Sequence, residues 1–421
     1  VYRLRPVTEK KLEQLGMTKL FYEIEMPLCR VLADMQEQGF MIDKAALVSF
    51  GESLTGTIAE LERAIYEHAG CEFNINSPKQ LGEVLFDKLL LPAGKKTKTG
   101  WSTNADVLEK LRGKHPIVNM VLDYRMLTKL KSTYADGLLK LIDPDGRIRT
   151  KFQMTVTATG RLSSTDPNLQ NIPIRKELGS HIREMFIASK GNVLVDADYS
   201  QIELRLLAHI SGDEHMRAAF LSGEDIHTVT ASQVFNTPVD EVTPLQRSRA
   251  KAVNFGIVYG ISPWSLAQDI GVTQGEAKAY MDAYLNKYDG VRDYMKSIVE
   301  KAKQDGYVTT IYSRRRDLPE LKSSNFNTRS FGERVALNMP IQGTAADIIK
   351  LAMVNVYNRL KAEGLKARLI LQVHDELICE CPENEAQTVA DILREEMSGA
   401  AKLSVPLTVD AKIGHSWAEA H

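Results

Sequence analysis

The chain has 421 residues, 53 basic and 54 acidic, for a formal net charge of −1. That length supports two or three subdomains around a sizeable core, and the near-zero charge excludes a global field that draws nucleic acid, so any such binding must rest on local basic surface. The four cysteines, Cys29, Cys71, Cys379 and Cys381, lack zinc-ligand spacing and read as reduced thiols of a cytosolic protein; no apolar run suits a bilayer span or a signal peptide.

Residues 1–20 are charged and weakly patterned, as in a linker or the tail of a preceding domain, and a start at Val1 suggests processing or a fragment. Phe21 to Phe40 predicts an amphipathic helix with Ile24, Leu28, Val31, Leu32 and Met35 inward and Gly39 as its stop. A long helix follows from Lys44 to Ala69. Ser77 caps the next one, with Pro78 at its first position and Leu81, Val84, Leu85 and Leu89 apolar. Leu91 to Thr103 then sets Lys95, Lys96 and Lys98 among small residues. Such a loop either lays N–H and ammonium groups along phosphates or is simply solvated. Helix from Asn104 to Leu141 completes a helical first third.

Asp143-Pro144-Asp145-Gly146 signals a turn, and the chain to Ile187 reads as strand and loop. Arg161, Ser163, Ser164, Asn168, Gln170 and Asn171 are short polar groups, suited to a minor groove or to an ordinary polar loop. Val193, Leu194 and Val195 predict a buried strand, and Ser200 or Gln201 opens a helix with Ile202, Leu206 and Ile210 on one face. Asp198 between them either caps that helix or holds a hard cation such as Mg²⁺.

Residues 214–366 read as helical. Within them Arg247, Lys251, Phe255 and Tyr259 recur every fourth residue, a drift of only about 40° per step on a helix. Two cations then two aromatics on one face can hold a triphosphate at one end and stack on a base and sugar at the other. Arg314, Arg315 and Arg316 are a local phosphate-binding candidate. MPIQGTAAD (Met339 to Asp347) leads into a helix with Ile348, Leu351, Val354 and Leu360 buried. Ala367 to Cys381 predicts a hairpin with His374-Asp375-Glu376 as its turn, followed by a helix, Glu385 to Met397, and a strand, Val405 to Ile413. A second strand-end carboxylate, Asp375, would complete a two-metal site, which needs ions about 3.5–4 Å apart for phosphoryl transfer. Sequence spacing does not show that Asp198 and Asp375 meet.

Together these motifs resemble the polymerase domain of family A DNA polymerases, the bacterial DNA polymerase I type. DYSQIELR (Asp198 to Arg205), RSRAKAVNFGIVYG (Arg247 to Gly260) and QVHDE (Gln372 to Glu376) are similar to that family's three signature motifs, in the same order. TATGRLSS, NLQNIP, DIHT (Asp225 to Thr228), RRR and QGTAAD resemble its flanking patterns, and the likeness runs from Phe21 to Trp417.

The resemblance implies an α+β right-hand fold. Residues 21–141 would be the thumb and its base, 142–200 and 367–421 an antiparallel palm sheet, and 201–366 helical fingers. It implies two Mg²⁺ ions, with Mn²⁺ as a substitute, on Asp198, Asp375 and the Tyr199 carbonyl, with Glu376 supporting Asp375. Arg247, Lys251 and His227 would meet the triphosphate, Lys251 passing a proton to pyrophosphate. Phe255 and Tyr259 would border the nascent pair, Glu203 would sit under the sugar, and Gln201 would help bind the dNTP. Arg161, Gln342, His374, Asn171, Gln170, Arg314 and Arg315 would contact primer or template, as would Lys95, Lys96 and Lys98. Partners would be primer–template DNA and dNTPs, for a monomer in the bacterial cytoplasm at the nucleoid. Too few residues precede Phe21 for a proofreading exonuclease, so none is expected. Two departures stand out: Ser248 where a second Arg is common, and Asp317 where an aromatic is common. A two-metal nuclease, an inactive DNA-binding scaffold and a related RNA polymerase are the rival readings. The triphosphate helix, the retained carboxylates and Glu203 respectively argue against them.

Overall fold

The computed structural model describes residues 2–92, 96–97, 100–173 and 177–421. Helix α1 (Met26–Gln38) continues a π-helical turn at Leu20–Glu25 and buries Leu28, Val31, Leu32 and Met35, the expected stripe. It stops at Gly39, with φ at 63°; a Cβ there would sit 2.8 Å from the Ile148 carbonyl oxygen, so only glycine fits. Helix α2 (Lys44–Ala69) starts at Asp43, whose carboxylate accepts the Ala46 N–H, and lies along α3 (Pro116–Lys129). Ser77 caps the short helix Pro78–Gly82 as its sequence predicts, and Lys96–Thr97 pairs with Gly100–Trp101 in a small hairpin.

The main sheet joins β1 (Asn192–Tyr199), β2 (Arg368–Val373), β3 (Glu376–Pro382) and β4 (Val409–Gly414) in the order β2-β3-β1-β4, every pair antiparallel. Helices α4 (Ile202–Ser211), α5 (Ile226–Phe235), α6 (Pro244–Val258) and α7 (Phe326–Ala362) fall between β1 and β2; α8 (Ala386–Ser398) follows β3, and α9 (Trp417–Ala420) follows β4. The α+β class with an antiparallel sheet is thus as expected. Alternate side chains of a strand point to opposite faces. Val193, Val195, Ala197 and Tyr199 form the face of β1 toward α8, where the Tyr199 hydroxyl donates to the Met397 carbonyl oxygen at 2.7 Å. Asp196 and Asp198 therefore share the opposite face.

Apolar burial divides unequally. One large core runs from α1 through the sheet to the helices after β1, and a smaller one gathers Ile65, Leu81, Leu85, Leu108, Ile117, Val118 and Val121. Helices α2 and α3 reach into both, through Leu47, Leu54 and Leu127 on one side and Ile65 and Ile117 on the other. Helix α1 packs on β2 and α7 rather than in the smaller core.

Four local expectations needed correction. Helix α7 begins at Phe326, far upstream of Ile348, and runs straight through Pro340. The stretch 214–366 is not wholly helical: Tyr307–Thr309 pairs with Arg315–Asp317. A helix, Glu177–Glu184, interrupts the strand-and-loop segment. Glu376 is the first residue of β3, so the turn is His374–Asp375 alone.

Candidate active site

Asp198 stands one residue before the end of β1, and in the sheet register Glu376 of β3 lies directly opposite it. The turn before β3 brings Asp375 alongside, and the Tyr199 N–H donates to the Asp375 carbonyl oxygen at 3.2 Å. His374 takes φ of 51° in this turn, and Gln372 Nε2 donates to its carbonyl oxygen at 2.7 Å. Two carboxylates far apart in the chain thus meet at one cleft. Burial raises the Asp198 pKa above the ordinary range, and the charges of Asp375 and Glu376 raise it further. Burial likewise raises Asp375, and raises Glu376 with help from Asp196. Crowded buried carboxylates of this kind favour either protons or cations as company.

The cleft, of about 510 Å³, has α6 as its opposite wall. Thr243 and Gln246 form a reciprocal capping box with Pro244 at the first position, which fixes where the helix starts. Ala250, Val253, Asn254 and Ile257 are buried beneath it, leaving Arg247, Lys251, Phe255 and Tyr259 to face the cleft. Arg247 is braced by Asp225, which accepts from its Nε at 2.7 Å and from Nη2 at 3.2 Å. Burial works to raise the Asp225 pKa, but the hydrogen bonds from Arg247 and Thr228 outweigh it and hold it at about 2.

His227, from α5, is 2% exposed, and its ring centroid lies 5.8 Å from that of Phe255. Burial, aided by Lys251 and Arg247, lowers its pKa to about 4, so it is neutral near pH 7. The Asn254 amide donates to His227 Nδ1 at 3.0 Å, which leaves the proton on Nε2. Glu203, on the first turn of α4, is buried and doubly held: Tyr259 donates from its hydroxyl at 2.7 Å, and Arg161 from Nη2 at 2.6 Å. Burial and Glu203 raise the Tyr259 pKa. Gln201 precedes α4 in a left-handed conformation, φ 59°, and lines the same cleft.

Arg161, Tyr199, Gln201, Glu203, His227, Arg247, Lys251, Phe255, Tyr259 and His374 all border the cleft with Asp198 and Asp375. Gln170 lies beside it, donating from Nε2 to the Gln372 carbonyl oxygen at 3.2 Å. Asn171 is exposed, with its carbonyl oxygen accepting the Tyr134 hydroxyl at 2.7 Å, and Gln342 is half-buried on α7. Lys96 is exposed and sits 4.8 Å from the Trp101 ring centroid; Lys95 and Lys98 fall outside the described residues.

Arg314, expected to contact primer or template, is engaged within the protein. Its side chain is 13% exposed and paired with Asp347, at 2.7 Å, and with Glu25. Lys350 joins the same group through Glu25 at 2.7 Å. A run of three arginines reads as surface, yet the turn between the strands at 307–309 and 315–317 sends this one inward. Arg315 stacks 3.6 Å from the Tyr307 ring centroid and pairs with Asp317 at 2.8 Å, so the departure at Asp317 supplies a local partner. Ser248 lines a larger adjoining recess that also reaches Lys251 and Asp375. Sequence reasoning missed Asp225 as the brace of Arg247, and Asn254 as the group that orients His227. A polar residue on the buried side of an amphipathic helix was the available signal for Asn254.

A sheet presenting paired carboxylates to a helix of cations and aromatics has the palm-and-fingers architecture of a nucleic-acid polymerase. The family model for DNA polymerase family A matches residues 44–419, and the chain belongs to that family. It is 54% identical over 422 residues to DNA polymerase I of Bacillus subtilis (strain 168), covering all of this chain and 48% of that protein. It is also 54% identical over 404 residues to DNA polymerase I of Geobacillus stearothermophilus, covering 96% and 46%. The chain thus spans about half the length of these relatives. Among solved structures, the POL domain of Pol1 from M. smegmatis, in complex with DNA primer-template and dNTP, aligns with a TM-score of 0.94 at 46% identity, covering 98% of this chain and 73% of that one.

Proposed function

We propose that the chain is a template-directed DNA polymerase that adds dNTPs to a primer 3′-OH and releases pyrophosphate. The observation that carries this reading is the meeting, across one cleft, of Asp198 and Asp375 with the Arg247-Lys251-Phe255-Tyr259 face of α6. Family membership and the relatives' shared name point the same way. A nuclease needs the carboxylates but has no use for a triphosphate helix.

The donor set fits divalent metal ions, since burial raises both carboxylates, the charge of Asp375 raises Asp198 further and that of Glu203 raises Asp375, a strain that cations relieve. Asp198, Asp375 and the Tyr199 carbonyl would hold them, as two Mg²⁺ ions with Mn²⁺ as a substitute. Bound there, they would increase the nucleophilicity of the primer hydroxyl and offset charge on the leaving pyrophosphate. Arg247 and Lys251 bind the triphosphate as the primer oxygen attacks the α-phosphorus and the bond to the β-phosphate breaks. Lys251 gives its proton to the departing pyrophosphate. Neutral His227 offers its Nε2 proton to a phosphate oxygen. Phe255 and Tyr259 border the base and sugar, Glu203 crowds a 2′-OH, and Gln201 flanks the incoming nucleotide. Glu376 steadies Asp375. Arg161, His374, Gln170, Asn171 and Gln342 read the primer end and minor groove, and Lys95, Lys96 and Lys98 follow the backbone. The free cysteines Cys29, Cys71, Cys379 and Cys381 fit the cytoplasmic setting we infer. Among the described residues no helix is long and apolar enough to cross a membrane.

The test is extension of a labelled primer–template with Mg²⁺ and dNTPs. Asp198→Asn should abolish extension while primer–template binding persists, because metal stabilisation is worth several kcal/mol and each ~1.4 kcal/mol is tenfold in rate. Near-normal extension by that variant, or shortening of the primer by the parent, would overturn the reading.

A further inference from the structure

Asp196, two residues before the cleft aspartate, has no part in the mechanism above. It shares a face of β1 with Asp198 and is 3% exposed. Neither of its carboxylate oxygens accepts from an N–H or hydroxyl donor among the described residues, and the Glu376 carboxyl lies close enough to share a proton with it. A buried carboxylate left like this is costly unless something charged completes it. Two other ligand-bearing side chains converge on it. His421 Nδ1 lies 3.4 Å from Asp196 Oδ2 and 3.8 Å from Glu376 Oε2, and one donor atom from each of the three residues lies within 4.8 Å of the others.

The surroundings orient these groups. Trp417 Nε1 donates to Glu376 Oε1 at 2.6 Å, which turns the other oxygen toward Asp196 and His421. Lys412 Nζ donates to the His421 carbonyl oxygen at 2.5 Å and so fixes the backbone that carries the imidazole. The nearby Arg183 lends its charge to Asp196 and Glu376 without a hydrogen bond from Nε or Nη1 among the described residues. It stacks 4.0 Å from the Trp417 ring centroid.

We propose that Asp196, Glu376 and His421 form a third cation site, apart from the pair on Asp198 and Asp375, that takes a divalent transition ion such as Mn²⁺ or Zn²⁺. Two ligands about 2.0–2.2 Å from one ion can be at most about 4.4 Å apart, and both separations from His421 lie within that limit. Two carboxylates and an imidazole suit Mn²⁺ or Zn²⁺ better than Mg²⁺, which prefers oxygen alone. The His421 side chain is 34% exposed, which gives an entry path and leaves positions for water. The ion ties β1, β3 and the segment after α9 together directly behind the cleft.

The test reads binding, not activity, so its result is independent of the polymerase reading. The full chain carrying Asp198→Asn and Asp375→Asn, stripped with chelator, is titrated with Mn²⁺ alone and followed by electron paramagnetic resonance. One Mn²⁺ should remain bound, with nitrogen modulation in pulsed spectra from the His421 ring. Adding Asp196→Asn should weaken binding at least tenfold, and His421→Ala, at an exposed position outside the core, should remove the nitrogen signal. Trp417→Phe should weaken binding by about 10–100-fold, the usual loss when an outer partner of a ligand is removed. Absence of bound Mn²⁺ in the double variant would overturn the proposal. So would binding that neither Asp196→Asn nor His421→Ala alters.

Discussion

Glu203 and Phe255 approach the proposed sugar position from different sides. Glu203 has both oxygens engaged, by Tyr259 and Arg161, so its carboxylate is fixed rather than free to swing from a 2′-OH. Glu203→Ala should therefore raise the ribonucleotide-to-deoxynucleotide ratio of kcat/KM and lower overall activity, since Arg161 and Tyr259 lose their shared anchor. Phe255 carries no hydroxyl to stand in for a missing 3′-OH. Phe255→Tyr adds one, worth on the order of 0.5–1.5 kcal/mol net, and should raise dideoxynucleotide incorporation by about two- to tenfold. An unchanged dideoxy ratio would mean that the ring does not meet the sugar. His227 gives a pH signature. Its folded pKa, about 4, lies below the ordinary histidine value. The buried neutral ring therefore contributes stability that is present above about pH 6.5 and is lost as pH falls toward 4. Thermal unfolding from pH 7 to pH 4 should show a steeper acid loss in the parent than in His227→Gln. Parallel profiles would show that the ring ionises as freely as in the unfolded chain.

At the scale of elements, α6 was the most legible part of the site. Its four cleft-lining residues repeat at one helical spacing, and Thr243, Pro244 and Gln246 mark its start, so face and boundary both follow from local chemistry. Thr243→Ala removes half of that capping box. It should cost about 1 kcal/mol, increase hydrogen exchange in the first turn around Arg247, and raise the dNTP KM a few-fold with DNA affinity unchanged. Helix α7 was the least legible. Proline normally ends a helix because it lacks an N–H and crowds the preceding turn. Here tertiary packing outweighs that: Met339, Ile341, Ala345 and Ile348 are all buried, and the Thr344 hydroxyl donates to the Pro340 carbonyl oxygen at 2.5 Å. The internal pairing of Arg314 was hidden for a related reason. Three adjacent arginines carry no period, so nothing in the run says which one turns inward toward Asp347.

Across the whole molecule, the meeting of Asp198 and Asp375 is a matter of sheet order. Strand β1 lies between β3 and β4, both far later in the chain, and no local pattern encodes such pairing. Only the ordered set of motifs, through its resemblance to family A polymerases, carried that information before the fold was seen. The division into two cores was likewise hidden, because α2 looks like one uninterrupted amphipathic helix. Its first half buries Leu47 and Leu54 in the large core, and its last turns bury Ile65 and Ala69 in the small one. Ile58 and Leu61, partly buried against both, mark the crossing. The smaller core therefore forms a second packing unit, linked to the large core by α2 and α3, and we propose that it corresponds to the thumb. Units with their own apolar cores can open separately. Leu85 is fully buried in the small core, so Leu85→Ala should cost about 2–5 kcal/mol, charged mainly to that unit. Hydrogen exchange should rise in α3 and in the last turns of α2 while β1 and β3 keep their protection. If this unit is the proposed thumb, primer–template affinity should fall, and dNTP binding at α6 should stay near the parent value. If protection were lost evenly across thumb and sheet, the two cores would be one cooperative unit, and α2 would be a rigid strut rather than a joint.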